Sequence, residues 1–145
     1  MNLDDTLCND IHKELQSLNL SKRGRGVNTQ WLSPTMDSYN YGQVINKPIS
    51  INNYPNICKL MEIVNNHRST SGDMDSCMIS RYASSKSALH LHRDNEPLIS
   101  QTSSICTVSF GASRGLSVFL DSNNDTKSPD LVLPASDKSM NVNLK

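Results

Sequence analysis

The chain has 145 residues, with 14 basic and 14 acidic side chains and no net charge. That length suits one domain with a real core. The charge balance excludes a broad polycationic nucleic-acid binder, so any such binding must use a local patch. No run of about 18 apolar residues exists to span a membrane. The N-terminus (Met1-Asn2-Leu3-Asp4-Asp5) lacks the basic and apolar regions of a secretory signal, which points to an intracellular protein of nucleus or cytoplasm. Cys8, Cys58, Cys77 and Cys106 are scattered without a C-x-x-C pair, so reduced thiols are expected rather than a zinc knuckle.

In chain order, Leu3, Leu7, Ile11, Leu15 and Leu18 recur at steps of three and four, which predicts a helix over 3–18. Residues 19–26 read as a basic turn carrying Lys22, Arg23 and Arg25. Residues 27–54 are polar, punctuated by Pro34, Gly42 and Pro48, and read as short strands and loops. A second helix is expected over 55–66, with Pro55 in its first turn and Ile57, Leu60, Met61 and Val64 on its buried face. From Cys77 onward the texture is that of short strands: 77–82, 88–92, 105–110, 116–120 and a last one through Met140, Val142 and Leu144. Segments 83–87, 95–104, 111–115 and 121–134 read as turn-rich. Helices followed by short strands predict an α+β domain with a sandwich or jelly-roll core.

The chemistry concentrates in Ala88-Leu-His-Leu-His-Arg-Asp-Asn-Glu-Pro97. In a strand, Leu89 and Leu91 would face a core while His90, His92 and Asp94 line the other side. His-x-Asp is the first part of a two-His-one-carboxylate triad, whose imidazole and carboxylate donors suit iron(II) and leave positions open for a bidentate co-substrate and O₂. By itself the triplet fits a polar strand end, with a solvated Asp and a hydrogen-bonded His, better than a metal site. His90 is read as a wall residue without a ligand role.

The surroundings of the triplet are more specific. Ser80-Arg81-Tyr82 precedes His92-Arg93-Asp94-Asn95-Glu96-Pro97, and Ser109-Phe110-Gly111-Ala112-Ser113-Arg114 follows. In order and spacing these resemble the AlkB family of nucleic-acid dealkylating dioxygenases, with the likeness covering about residues 20–145. The resemblance implies a double-stranded β-helix (jelly roll), with residues 1–76 as helices and substrate lid and 77–145 as the first part of the core. It implies His92 and Asp94 as ligands of Fe(II), and Tyr82 and Ser80 as binders of 2-oxoglutarate. It implies Glu96 as a reader of the flipped base, since a carboxylate accepts from an exocyclic amino group. Arg114 would approach substrate phosphate or line the site. Tyr41 and Trp31 would stack on a base, although core packing suits Trp31 as well. The basic turn could touch phosphate or be merely solvated. The implied activity is oxidative removal of N-alkyl groups from bases in DNA or RNA by a monomer that does not engage membranes.

The sequence departs from the family in two places. Ser80 stands where many members of the family carry Asn. No histidine follows Asp94, so the family's distal iron ligand and the arginine after it are absent, and an incomplete C-terminus is expected. This leaves two rivals to a DNA or RNA demethylase: a non-catalytic remnant that binds nucleic acid or a partner, and a dioxygenase acting on protein or small molecules.

Overall fold

The computed structural model describes residues 3–41, 44–67, 74–94, 97, 105–119, 129, 131–135 and 140–144, with two helices and ten strands among them. The chain is mixed α+β, and its described strands form four separate sheets with no closed barrel. It divides into two compact units. One holds residues 9–103; the other holds 104–145 with 1–8.

Helix α1 (Asp5–Ser17) and helix α2 (Pro55–His67) lie where the apolar periodicity put them. On α2 the buried residues are Ile57, Leu60 and Val64, one stripe at helical spacing. The backbone N–H groups of Asn56 and Ile57 in the first turn of α2 have no intrahelical acceptors and need them from elsewhere. Glu14 of α1 supplies them. Its carboxylate accepts from the backbone N–H of Asn56 at 3.0 Å and of Ile57 at 3.0 Å, and from the Asn56 carboxamide at 2.8 Å. Cys58 N–H then makes the first helical bond, to the Tyr54 carbonyl at 3.0 Å. One carboxylate thus completes the helix start and ties two distant segments together.

The main sheet is built on β2 (Val27–Ser33). Along one edge β6 (Cys77–Tyr82) runs antiparallel, with Val27 opposite Tyr82, Thr29 opposite Ser80 and Trp31 opposite Met78. Along the other edge lie β1 (Ser21–Gly24), antiparallel to residues 27–29, and β5 (Pro48–Ser50), parallel to residues 31–33. Where β1 stops and β5 starts, buried Gln30 donates to the Lys47 carbonyl at 3.0 Å. The stretch read as a basic turn is therefore half strand. Its Gly24-Arg25-Gly26 linker has φ of +93°, +48° and +72°; the two glycines tolerate this freely, Arg25 adopts the left-handed region between them, and the linker closes the β1–β2 hairpin.

One face of this sheet makes the core. Leu32, Leu18, Ile51 and Ile57 are buried together, with Ile49, Cys77, Ile79, Cys58 and Met61 packed against them. The odd-numbered residues of β2 and the even-numbered ones of β6 point the other way.

The remaining pairs are small and antiparallel. A hairpin joins β3 (Tyr39–Tyr41) to β4 (Val44–Asn46). In the other unit β7 (Ile105–Val108) pairs with β10 (Met140–Leu144), and β8 (Arg114–Val118) with β9 (Leu131–Ala135). β9 falls in a stretch expected to be turns, because Asp130 and Pro134 flank its apolar residues; its partner strand overrides that local signal. Cys8, Cys58, Cys77 and Cys106 are unbridged.

Candidate functional site

Residues 88–92 are not a strand. After β6, the Ala83 N–H extends the ladder to the Gly26 carbonyl at 2.9 Å, and the chain then turns through 84–87. Ser87 is buried against Gly26, and its hydroxyl accepts from the Ser84 N–H at 3.1 Å. Beyond that anchor the chain runs irregularly along the surface. Leu89 is 44% exposed and Leu91 61% exposed, so neither faces a core. The expectation of alternating faces fails because a strand is made by its partner ladder, and no described strand pairs with this segment.

His92 and Asp94 nevertheless come together. His92 Nε2 lies 3.6 Å from Asp94 Oδ1, with both side chains about one-third exposed. The local fold also orients the ring: His92 Nδ1 is 2.6 Å from the His90 carbonyl. A carbonyl only accepts, so Nδ1 must carry the proton. In the neutral imidazole this leaves the Nε2 lone pair on the Asp94 side, the arrangement that metal-binding histidines adopt through a second hydrogen bond. Ligand atoms stand roughly 2 Å from a bound ion and hence about 3–4 Å from each other, so this nitrogen and this oxygen fit two positions of one metal site. Among the described residues no third His, Cys, Asp or Glu completes a metal-holding group with them. His90 contributes its backbone carbonyl, while its own side chain is exposed.

The 2-oxoglutarate candidates and Trp31 share the sheet face opposite the Leu32 core. Ser80 and Tyr82 alternate correctly on β6, and across the ladder stand Thr29 and Val27. Trp31 shares this face and is stacked on Tyr39, centroids 4.8 Å apart at 25°. That contact takes up one face of the indole. Arg23 belongs to the same surface, because its Nε donates to Thr29 Oγ1 at 2.9 Å. Lys22, opposite Asn28, points to the other face, so the basic residues of the hairpin are not one patch.

Arg114 opens β8, opposite Ala135, in the other compact unit. Tyr41 ends β3, but its side chain lies outside the described residues, as does Glu96 altogether. Sequence reading missed Thr29, the residue that fixes Arg23. The alternation Val27-Thr29-Trp31 was its available signal, hidden because β1 was not expected to be a strand. Compared with known proteins, the chain matches no family model and no curated protein. Among the described residues no helix is long and apolar enough to cross a membrane.

Proposed function

We propose that this chain is an AlkB-like, Fe(II)- and 2-oxoglutarate-dependent dioxygenase domain with a jelly-roll ancestry, acting on N-alkylated bases in DNA or RNA. The observation that carries this reading is the His92–Asp94 pair, 3.6 Å apart, with the His92 Nδ1 proton directed to the His90 carbonyl so that Nε2 lies on the Asp94 side. His92 and Asp94 would hold the iron, which when bound supplies the activation of O₂ needed to oxidise an N-alkyl group. Ser80 and Tyr82 offer hydroxyl donors on one sheet face for an acidic co-substrate. Glu96, two residues past Asp94, would read the extruded base, with Arg114, Tyr41 and Trp31 as the remaining substrate contacts.

A second reading is a non-catalytic relative that binds nucleic acid. It is favoured by the absence, among the described residues, of a third ligand to join His92 and Asp94. Two measurements separate the readings. Mn(II) binding, followed by electron paramagnetic resonance, should weaken at least tenfold in His92→Ala and in Asp94→Asn. Succinate and formaldehyde should form from 2-oxoglutarate with an oligonucleotide carrying 1-methyladenine or 3-methylcytosine. Binding of that oligonucleotide without turnover selects the second reading; turnover with a non-nucleic substrate alone refutes both.

A further inference from the structure

Two long stretches of the sequence carry no acidic residue: none lies between Glu14 and Asp37, and none between Asp75 and Asp94. The fold lays these stretches side by side, because they supply β1, β2 and β6. A chain without net charge thus concentrates positive side chains on one sheet. Lys22 stands opposite Asn28, and Asn28 stands opposite Arg81, so the three form one row across three strands. With strands about 4.8 Å apart, the Lys22 and Arg81 backbones are roughly 10 Å apart, with Asn28 between them. Both cations are exposed, and neither enters an ion pair among the described residues. The row faces away from Ser80 and Tyr82, since Arg81 alternates with them along β6. Two further exposed cations lie at the same end of the sheet. Arg25 is in the hairpin turn beside Gly26, and Lys86 is in the 84–87 turn, which Ser87 seats against Gly26.

We propose that the Lys22–Asn28–Arg81 row, extended by Arg25 and Lys86, is a second nucleic-acid surface that grips the phosphate backbone of a single strand. It would act on the sheet face opposite the candidate cofactor residues, without regard to base identity or alkylation. The choice of nucleic acid as the polyanion rests in part on the proposed function. Charge spread along a row suits successive phosphates of a strand, each neutralised by one cation with release of its counterion. Asn28 offers a carboxamide donor between the two charges. An anionic bilayer fits less well, because the exposed large apolar residues are Met36, Ile45, Leu89, Leu91 and Val132, and none of them is on β1, β2 or β6. A phosphopeptide fits less well too, since it calls for arginines converging on one phosphate.

The test is fluorescence anisotropy of a labelled, unmethylated oligothymidylate with the full chain, titrated without metal at several salt concentrations. The double variant Lys22→Gln/Arg81→Gln should bind about tenfold more weakly at low salt. The slope of log affinity against log salt should fall by about 0.7 for each cation removed. Arg25→Gln and Lys86→Gln should each give a smaller loss of the same kind. Lys22→Arg and Arg81→Lys should keep the slope, and Lys13→Gln and Lys59→Gln, on the helices, should change nothing. Far-UV circular dichroism checks folding; should the double variant unfold, the single variants carry the comparison. An unchanged affinity and slope in the folded Lys22 and Arg81 variants overturns the proposal, and so does a wild type that fails to bind the oligonucleotide. Binding to phosphatidylserine vesicles or to polyglutamate that depends on the row and is tighter than binding to the oligonucleotide also overturns it. If Mn(II) binds through His92 and Asp94 but no oligonucleotide binds, the row falls while the metal reading stands. If the row binds the oligonucleotide but neither Mn(II) binding nor turnover is found, the dioxygenase reading falls and the row remains.

Discussion

Replacing Glu14 with Ala should destabilise the unit of residues 9–103 by about 2 kcal/mol. The carboxylate accepts two backbone N–H groups of the first turn of α2 and one from the Asn56 carboxamide, at 2.8–3.0 Å. Losing a helix N-cap costs typically about 1 kcal/mol. A bond to a charged acceptor contributes roughly 1.5–3 kcal/mol, and water can partly replace it at this half-exposed site. Helix polarity adds about 0.5 kcal/mol for a negative charge at the N-terminus. These effects overlap, so their sum overstates the loss, and about 2 kcal/mol is a fair total. It corresponds to roughly a 30-fold change in the folding equilibrium and to a melting shift of about 8–16 °C for a unit of this size. Urea denaturation followed at 222 nm measures it. Glu14→Gln is the sharper variant, because one carboxamide end is a donor and would face the Ile57 N–H; it should lose about half as much. A loss below about 0.5 kcal/mol for Glu14→Ala, or Glu14→Gln as stable as wild type, would refute the idea that this carboxylate caps α2.

Gly26→Ala should cost about 1–3 kcal/mol, since φ is +72° there and a Cβ would collide with the Ser87 hydroxyl; a melt unchanged from wild type would count against the docked 84–87 turn. Burial pushes the Cys77 thiol up to about 12, with Cys58 adding to the effect. The folded state therefore keeps this proton where the unfolded chain has lost it. Stability from this group is complete below the ordinary thiol range and falls as pH rises from there toward 12, so urea midpoints should drop between pH 8 and pH 10.5 and drop less in Cys77→Ala. A double-mutant cycle of Trp31→Leu and Tyr39→Leu should give a coupling of about 0.5–1.5 kcal/mol for the stacked rings; a coupling near zero would show that each ring packs independently.

Much of the secondary structure was legible along the chain. Leu7, Ile11 and Leu18 mark α1, and Ile57, Leu60 and Val64 mark α2, because a helix satisfies its own backbone and only its buried stripe depends on neighbours. The strand Cys77–Tyr82 was equally clear from its β-forming residues, while the sheet pairing showed that Ser80 and Tyr82 lie on the face opposite core-facing Ile79. The nearness of His92 and Asp94 follows from their spacing of two, but not for the reason that spacing suggested. No described strand pairs with them; the His92 ring is instead hydrogen-bonded to the His90 carbonyl.

What the sequence determined by itself were these local properties: helical stripes, strand alternation, glycines where φ turns positive, and a donor pair suited to a metal. Tertiary structure alone decided that Glu14 completes a helix 41 positions away at Pro55, that Arg23 is fixed by Thr29 beside the Ser80 face, and that Leu89 and Leu91 are left at the surface. The physical reason is that a strand's backbone and a buried charge are satisfied only by partners from elsewhere in the chain, and no pattern within a short window specifies which partner arrives.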